Sequence, residues 1–475
     1  MNNPFAFLFA VVLLLGSGTV GAAEKPNILL ISIDDLNDWV GCLGGHPQAL
    51  TPNIDRLAKR GTLFTNAHCQ SSVCNPSRVS MMTGRYPHST GVYFLSPDLK
   101  NAPALNGVLT MPEHFAQHGY ETMAVGKIFH TGDKRFFQEY GSNNGGFGPR
   151  PKKKISQPHG HPLWDWGIYP ENDADMPDMK SAKWAAEKLA QDYEKPFFMG
   201  VGFYRPHVPM YTPPKWFGLH PRDTIQLPEI LDGDRDDLSE YAVNLTNLKH
   251  VSPEHDWVTS AGQWEHAVQS YLASVTFADD CVGQVLDALD ASPHAKNTVI
   301  VLFSDHGFHL GEKHRWAKRS LWEDGTRVPV IISAPGFVHN QRSDRPVELL
   351  DVFPTLLELA GLPADPKQEG QSVVPLLNDP NAEWGHPAIS SFGPGNYSVR
   401  TTRYRYIQYL DGSREFYDHE DDPNEWNNLA AKEELQELMA QHAAFVPAKQ
   451  HPLLPGGSTG HKAYAASNEI AGLEE

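Results

Sequence analysis

Short apolar runs alternate along the chain with longer stretches in which apolar residues recur at helical spacing. The runs cover residues 28–33, 122–125, 197–203, 299–303 and 328–333, and the helical stretches include 181–193, 266–290 and 347–360. Continuous apolar runs are typical of strands that are buried on both faces of a sheet. Strands that alternate with helices predict an α/β fold with a mostly parallel sheet between helices.

The pattern changes after about residue 380. Residues 398–409 alternate as antiparallel strands do, and residues 429–444 have helical spacing. We therefore predict a large α/β domain over residues 24–380 and a smaller C-terminal α+β subdomain with an antiparallel sheet over residues 381–475. Residues 141–178 are rich in Gly, Pro, Lys and Trp and predict a long surface excursion, and the tail after Pro455 is predicted to be loose.

The N-terminal segment has the pattern of a signal peptide. Residues 5–15 form an apolar run that is too short to span a bilayer, and small residues at 21–23 suit cleavage before Glu24. We predict a signal peptide over residues 1–23 and an exported protein, periplasmic or secreted. No later segment is apolar for long enough to predict membrane insertion.

Composition and charge limit the possible partners. The chain has 475 residues, of which 40% are hydrophobic and 20% charged, an ordinary globular balance. Its formal net charge of −18 argues against a nucleic-acid partner, because such binders present a basic stripe. If the substrate is an anion, positive charge has to be concentrated in the site, since the field of the whole protein opposes binding.

The four cysteines, at positions 42, 69, 74 and 281, are too few for a disulfide framework. A bridge between Cys69 and Cys74 is the simplest structural interpretation of that close pair. Cys281 lies in a helical stretch and is predicted to be core.

Acidic residues follow two of the predicted strands directly. Asp34 and Asp35 come after the first strand, and Asp305 and His306 come after a strand far away in sequence. In open α/β sheets ligands bind at the carboxyl ends of the strands, and hard divalent cations prefer carboxylate oxygens. Each pair alone is explained as well by helix caps or loop carboxylates; together they favour a metal site, with calcium preferred over zinc.

The segment that begins at Cys74 reads Cys-Asn-Pro-Ser-Arg-Val-Ser-Met-Met-Thr-Gly-Arg. Judged by residue type alone, a cysteine four residues before Arg78 suggests a nucleophile whose pKa is lowered by a nearby cation. A structural cysteine that precedes a turn is the common alternative. The whole string resembles the sulfatase signature Cys-x-Pro-Ser-Arg, followed by Thr-Gly-Arg. In that family the cysteine is oxidised to formylglycine, whose hydrate attacks sulfur.

Three further strings resemble the iduronate-2-sulfatase branch of the family. They are Ala-Val-Gly-Lys-Ile-Phe-His at 124–130, Arg-Pro-His-Val-Pro at 205–209, and Asp-His-Gly at 305–307 leading to Trp-Ala-Lys at 316–318. The resemblance covers nearly the whole mature chain and implies an alkaline-phosphatase-like catalytic domain.

The resemblance also implies roles for individual residues. Asp34, Asp35, Asp305 and His306 would bind one calcium ion together with the modified Cys74. Arg78 would hold the formylglycine hydrate, and a separate formylglycine-generating enzyme would be needed for maturation. Sulfate and the leaving oxygen would be surrounded by Lys127, His130, His207 and Lys318.

The resemblance leaves the proton donor open. We favour His207 as the acid that protonates the leaving oxygen and His130 as the residue that assists collapse of the hemiacetal sulfate ester back to the aldehyde, and the sequence allows the reverse. Taken singly, each of these residues also has a structural interpretation: a surface pair for Lys127 and His130, packing for His207 and a solvated charge for Lys318. Three consecutive lysines at 152–154 are best interpreted as a solvated loop, and Trp164 and Trp166 either line a sugar site or pin the long excursion.

We therefore expect a sulfuric ester hydrolase that acts on a sulfated carbohydrate, with the 2-sulfate of a uronic acid as the substrate suggested by the branch. A phosphonate monoester or phosphodiester hydrolase of the same superfamily is the first alternative, and a non-catalytic glycan-binding relative is the second. The sequence leaves open the sugar, the sulfate position, exo or endo action and the oligomeric state.

Overall fold

A computed structural model of the chain describes residues 25–247 and 251–473. The predicted signal peptide, residues 1–23, lies outside the described residues. In the part that is described, no helix is both long and apolar enough to cross a membrane.

The strands are numbered in chain order. They are β1 Asn27–Ile33, β2 Thr62–Phe64, β3 Ala67–His68, β4 Glu121–Gly126, β5 Glu139–Tyr140, β6 Trp166–Ile168, β7 Phe197–Phe203, β8 Met210–Thr212, β9 Thr298–Ser304, β10 His309–Leu310, β11 Trp316–Ala317, β12 Val330–Ser333, β13 Gln341–Ser343, β14 Val347–Glu348, β15 Ala388–Ser391, β16 Tyr397–Arg400, β17 Tyr404–Gln408 and β18 Arg414–Asp418.

The α-helices are numbered in the same way, and short 3₁₀ turns connect several of the elements. The helices are α1 Pro52–Arg60, α2 Cys74–Thr83, α3 Pro87–Thr90, α4 Met111–Gln117, α5 Pro177–Leu189, α6 Pro214–Gly218, α7 Glu240–Thr246, α8 His255–Ser260, α9 Trp264–Asp290, α10 Glu323–Thr326, α11 Val352–Leu359, α12 Val374–Asn378, α13 Gln436–Ala443 and α14 Thr459–Ile470. The 3₁₀ turns are Leu99–Asn101, Pro103–Leu105, Asp133–Arg135, Asp173–Asp175, Arg222–Thr224, Glu312–His314, Leu349–Asp351 and Glu433–Leu435.

The main sheet has eight strands in the order β13-β2-β12-β9-β1-β7-β4-β5. The central strands β9, β1, β7 and β4 run parallel to one another, and β12 is antiparallel to both of its neighbours. This confirms the predicted mostly parallel sheet. Because the central strands are parallel, their carboxyl ends meet at one edge of the sheet.

Helices cover both faces of this sheet, which explains why its strands are apolar throughout. On β1, Leu29, Ile31 and Ile33 belong to a core that includes residues of α1, α5 and α9. Ile28 and Leu30 face the opposite core, which includes residues of α2, α4 and α11. Alternate side chains of a strand point to opposite faces, so both sets are buried.

The C-terminal region contains a four-stranded antiparallel sheet in the order β15-β16-β17-β18, as predicted. One side of this sheet packs on α13, with Tyr406 and Phe416 against Met439. The domain boundary placed at residue 380 stays a prediction.

Three expectations from the sequence were wrong. The tail after Pro455 is not loose, because α14 forms there and buries Tyr464 against Phe94 and Phe392. The last predicted helix starts later than expected, since residues 429–432 precede a 3₁₀ turn and α13 begins at Gln436. The bridge between Cys69 and Cys74 does not form, because all four cysteines are free thiols.

Candidate active site

Charged side chains follow the carboxyl ends of four adjacent parallel strands. Asp34 and Asp35 follow β1, Asp305 and His306 follow β9, His207 lies in the turn after β7, and Lys127 follows β4. The parallel arrangement therefore brings residues from 34 to 306 in the sequence to one place. All of these side chains are buried.

Cys74 is the first residue of α2, and its side chain points into this cluster. Its Sγ lies 3.2 Å from Nε2 of His306, 3.3 Å from Nζ of Lys318 and 3.6 Å from Oδ1 of Asp34. The residue is only 2% exposed. A helix N-terminus favours negative charge, so the start of α2 adds to the positive potential around Sγ.

Arg78 lies one helical turn after Cys74 and fills the base of the site. Its Nε donates to Oδ2 of Asp305 at 2.8 Å, and its Nη2 donates to Oδ1 of Asp34 at 3.4 Å. Nη1 donates to the carbonyl oxygens of Lys127 and Ile128 at 2.7 and 2.9 Å. The guanidinium therefore joins three strand ends and fixes both carboxylates.

Two lysines pair with the two adjacent aspartates. Lys127 Nζ lies 2.5 Å from Oδ2 of Asp34, and Lys318 Nζ lies 2.5 Å from Oδ1 of Asp35. Lys318 follows the short hairpin β10–β11, and its neighbours Ala317 and Arg319 have left-handed backbones with φ of 73° and 75°. A left-handed backbone is costly for these residue types, so the surrounding contacts hold this segment in place.

The charges in this cluster shift the pKa values of its members. Burial alone would raise the pKa of the Cys74 thiol, but Lys127 and Lys318 outweigh burial and hold that pKa well below its usual range. Burial raises the pKa of Asp35 to about 7, in spite of Lys318. Burial also opposes the ionised form of Asp34, yet Lys127 keeps the pKa of Asp34 well below its usual value.

The same cluster has the donor atoms that a divalent cation requires. Ligand atoms of Asp34, Cys74, Asp305 and His306 lie within 4.8 Å of one another, and Asp35 joins Asp34 and Cys74 in an overlapping group. Oδ2 of Asp35 is buried and has no hydrogen-bond partner among the described residues. A buried carboxylate oxygen without a partner is costly unless a cation occupies the space beside it. The residues present therefore fit a hard divalent cation with mostly oxygen ligands.

The two predicted histidines differ in their surroundings. Nδ1 of His207 lies 2.5 Å from the carbonyl oxygen of Val208, and Nε2 lies 3.8 Å from Oδ2 of Asp35, so Nε2 faces the cluster. Burial and Lys318 lower the pKa of His207 well below its usual value. His130 lies farther along the loop after β4, and its Nδ1 is buried without a hydrogen-bond partner in the described structure.

A cavity of about 590 Å³ opens beside the cluster at Lys127. Basic side chains from separate segments line it: Lys127, His130, Lys134 and Arg150. The lining also includes Phe147, whose ring lies 4.6 Å from the His207 ring and 5.6 Å from Nζ of Lys127. The cavity is large enough for a sugar, and its charged wall residues are three cations, Lys127, Lys134 and Arg150, and one carboxylate, Asp133.

The structure adds residues that the sequence did not indicate. Phe147 and Arg150 belong to the long excursion over residues 141–178, where no periodic pattern marks any position. Tyr271, on α9, donates from its hydroxyl to the carbonyl oxygen of Asp35 at 2.8 Å, and it looks like ordinary core in the sequence. Trp164 and Trp166 are buried in the core, so they pin the excursion and do not line the cavity.

Sequence comparison with known families agrees with this geometry. The family model described as Sulfatase matches residues 26–362. The chain belongs to the sulfatase family. A second family model, described as N-sulphoglucosamine sulphohydrolase, C-terminal, matches residues 311–450 of this sulfatase. The predicted type I sulfatase family is confirmed, and the protein is a sulfuric ester hydrolase.

Individual relatives extend over most of the sulfatase. A "Sulfatase" of Formosa agariphila is 41% identical and covers 88% of this chain and 86% of its own length. Iduronate 2-sulfatase of Homo sapiens is 32% identical and covers 76% of this chain and 74% of its own length. A solved structure of a 2-O GAG sulfatase is similar with a TM-score of 0.70 and 26% identity, covering 89% of this chain and 91% of that one. The predicted alkaline-phosphatase-like fold is thereby confirmed.

Proposed function

We propose that this sulfatase is an exported, calcium-dependent enzyme that hydrolyses sulfate esters of a sulfated carbohydrate through a formylglycine made from Cys74. One observation carries the proposal. Cys74 Sγ lies between Lys318 Nζ and His306 Nε2, at the rim of a group of buried carboxylates that includes the unpartnered Oδ2 of Asp35. A nucleophile, an anion-stabilising lysine and a cation site thus share one buried position.

Each part of the cluster has a role in this reaction. Calcium would be held by Asp34, Asp35, Asp305, His306 and residue 74. When bound, it supplies positive charge to the sulfate oxygens, while formylglycine supplies a hydrated aldehyde oxygen as nucleophile. Lys127 and Lys318 lie beside these positions and stabilise negative charge that develops during cleavage. Arg78 holds Asp34 and Asp305 in place.

His207 is the residue that we assign as proton donor to the leaving oxygen. The contact of its Nδ1 with the Val208 carbonyl fixes the ring, so Nε2 is available toward the cluster. An incoming sulfate ester adds negative charge next to His207 and favours the protonated ring, which opposes the lowering effect of burial and Lys318. We place His130 at the cavity wall, where it contacts the sugar side of the substrate.

The basic cavity supports a sulfated carbohydrate as the substrate class. Lys134 and Arg150 lie on its wall apart from the sulfate position, where they suit a further anionic group such as a uronate carboxylate. The names of two relatives, iduronate 2-sulfatase and a 2-O GAG sulfatase, both specify the 2-position. We propose a 2-sulfated uronic acid unit as the first substrate to test.

The deciding experiment measures inorganic sulfate released from mono- and oligosaccharides sulfated at the 2-, 4-, 6- or N-position. It is done with and without calcium chelation, on protein co-produced with a formylglycine-generating enzyme. We expect release that chelation abolishes and that the Cys74→Ala variant lacks. Cys42→Ala is the matched control and keeps the activity, because Cys42 is a separate free thiol outside the cluster.

Phosphonate monoesters and phosphodiesters belong in the same panel, because the superfamily alternative predicts their hydrolysis. If mass spectrometry finds formylglycine at position 74 while no sugar releases sulfate and a phosphonate is cleaved, the carbohydrate-sulfatase proposal is wrong. Binding of sulfated glycans without any turnover would instead support the non-catalytic relative.

Export is tested separately by N-terminal sequencing of protein recovered from the source cells. A mature chain that begins at Glu24 in the periplasm or medium supports the proposal. A cytoplasmic chain that still begins at Met1 contradicts it.

A further inference from the structure

A second group of metal-ligating side chains lies outside the site described above. Ligand atoms of His309, Glu312 and Asp324 lie within 4.8 Å of one another. His309 belongs to β10, Glu312 lies in the turn after it, and Asp324 lies in α10. Glu312 and Asp324 line a cavity of about 480 Å³ that is separate from the one beside Lys127.

His309 is the observation that distinguishes this group from an ordinary acidic patch. Its side chain is completely buried, and its Nδ1 has no hydrogen-bond partner among the described residues. This nitrogen lies 3.6 Å from Oδ2 of Asp324, while Nε2 on the other side of the ring lies 2.7 Å from Oγ of Ser320. The ring is therefore held from one side by Ser320, and its other nitrogen faces Asp324 and lies near the backbone of Glu312.

The two carboxylates also lack the counter-charges that other acids in this cavity have. Asp38 pairs with Arg327 at 3.1 Å, Asp234 pairs with Lys313 at 2.7 Å, and Glu323 pairs with Arg405. Within the described residues, neither Glu312 nor Asp324 lies within 4 Å of a lysine or arginine nitrogen. Oε2 of Glu312 accepts from the backbone N–H of Leu310, and no basic side chain of the described residues separates the two carboxylates from the imidazole nitrogen. This donor set, two carboxylates and one imidazole, fits a divalent cation.

The protonation behaviour of the group agrees with this arrangement. Burial and the neighbouring Glu312 raise the pKa of Asp324 well above its usual value, and burial raises the pKa of Glu312 to about 7. Burial, with Arg315 and Lys313 nearby, keeps the pKa of His309 well below its usual value, and neutral imidazole is the form that binds metals.

We propose that His309, Glu312 and Asp324 form a second divalent-cation site, for zinc or a similar cation that accepts both imidazole nitrogen and carboxylate oxygen. Imidazole in the donor set favours such a cation over calcium. Tetrahedral zinc sites hold ligand atoms about 3.3 Å apart, close to the observed separation of His309 and Asp324. The three residues bracket the segment 309–324, which carries Lys318, so the cation would tie both ends of that segment together.

The test is a zinc titration of tag-free protein, stripped of metal and re-equilibrated with excess calcium, in competition with a chromophoric chelator. We expect one zinc ion per wild-type chain. Asp324→Asn should bind it at least about tenfold more weakly, since even the loss of a residue that only supports a ligand weakens metal binding by about 10–100-fold. Glu229→Gln is the matched control and should match the wild type, because Glu229 is an exposed residue of the same cavity wall outside the group.

Two more variants complete the test. Glu312→Gln replaces Asp324→Asn if the latter does not fold, as judged by circular dichroism and the melting temperature. Asp305→Asn should keep the zinc, because Asp305 belongs to the other cluster. The proposal is overturned if the wild type does not compete for zinc, if Asp324→Asn and Glu312→Gln bind like the wild type, or if only Asp305→Asn loses the ion.

Discussion

At the scale of single residues, the charges around Cys74 cancel within the protein itself. Asp34, Asp35 and Asp305 carry three negative charges when ionised, and the three cations Arg78, Lys127 and Lys318 pair with them directly. In a chain of net charge −18, the proposed calcium ion would therefore add the positive potential that these paired charges do not supply, beside the basic side chains of the cavity wall. Affinity for sulfate and affinity for the ion should then be coupled.

Lys318 is the residue whose removal tests anion stabilisation most directly. Lys318→Ala should lower kcat/KM by about 100-fold or more, the usual effect of removing one preorganised group that stabilises developing charge. The measurement is steady-state sulfate release at saturating calcium. Lys153→Ala is the control, since Lys153 is an exposed residue of the predicted solvated loop. Equal losses in both variants would contradict a specific role.

His207 and His130 are distinguished by leaving groups of different basicity. If His207 protonates the leaving oxygen, His207→Asn should lower kcat on a sugar sulfate by about 100-fold or more. The loss on an aryl sulfate should be smaller, because a phenolate leaves without a proton. His130→Asn should reduce both rates by a similar factor. If His130→Asn instead shows the larger loss on the sugar sulfate, and His207→Asn reduces both rates by a similar factor, then His130 is the proton donor.

Several residues of the site were predictable from the sequence, and physical reasons separate them from the rest. Asp34, Asp35 and Asp305 directly follow apolar strands, so topology alone brings them together. Cys74 and Arg78 are one turn apart on α2 and have a specific signature around them. Phe147 and Tyr271 carry no such mark, because packing against His207 or Asp35 depends on tertiary contacts that no local pattern encodes.

At the scale of elements, the site depends on how closely β4 and β7 approach at their carboxyl ends. Gly126 ends β4 with φ of 76°, and a Cβ added there would lie 1.9 Å from the carbonyl oxygen of Gly202 on β7. A Cβ on Gly202 would in turn lie 2.1 Å from the carbonyl oxygen of Lys127. These two glycines allow Lys127 to emerge next to the neighbouring strand end.

Gly126→Ala should therefore reduce the free energy of unfolding by about 3 kcal/mol and lower activity by displacing Lys127. Gly119→Ala is the control, because Gly119 has φ of 89° but open space around its missing Cβ. Gly119→Ala should reduce the free energy of unfolding by only about 1 kcal/mol, because only the left-handed backbone disfavours alanine at this position. Chemical denaturation measures the free energy of unfolding of both variants. Equal reductions would mean that the close approach of Gly126 to Gly202 does not prevent a larger side chain at position 126.

The elements themselves were predicted where their periodicity is strong. The five apolar runs overlap β1, β4, β7, β9 and β12, and the longest predicted helix corresponds to α9, Trp264–Asp290. The short hairpin β10–β11, which presents Lys318, was not predicted, because two-residue strands are too short for any alternation to be visible. The helix α14 was missed because its Gly, Ser and Ala residues resemble a linker, while its stability comes from packing on Phe94.

At the scale of the whole molecule, an ion-pair network joins the C-terminal sheet to the catalytic region. Arg405 on β17 is completely buried and pairs with Glu323 of α10 and, at 2.5 Å, with Glu425. Glu323 also pairs with Arg400 of β16 at 3.2 Å. The same sheet contributes to a core that contains Val73, the residue before Cys74, so it supports the start of α2.

Arg405→Met should reduce the free energy of unfolding by about 3–5 kcal/mol, because it removes the only arginine that pairs with the buried Glu425 among the described residues, and one of the arginines that pair with Glu323. The control is Arg403→Met, which removes an arginine that pairs with Asp418 from an exposed position. Exposed ion pairs are screened by solvent, so the denaturation midpoint of this variant should hardly move. If the two variants are equally stable, the network does not hold the sheet in place.

The burial of Cys74 affects the order in which the chain can be oxidised at this position and fold. Its sulfur is enclosed by Asp34 and His306, which follow β1 and β9, and by Lys318, so it becomes buried only when these distant parts of the chain have come together. An oxidising enzyme has to reach this thiol, yet every residue of α2 is buried. On the proposed function, the chemical change at position 74 must precede folding, and a chain that folds too early is trapped as an inactive thiol.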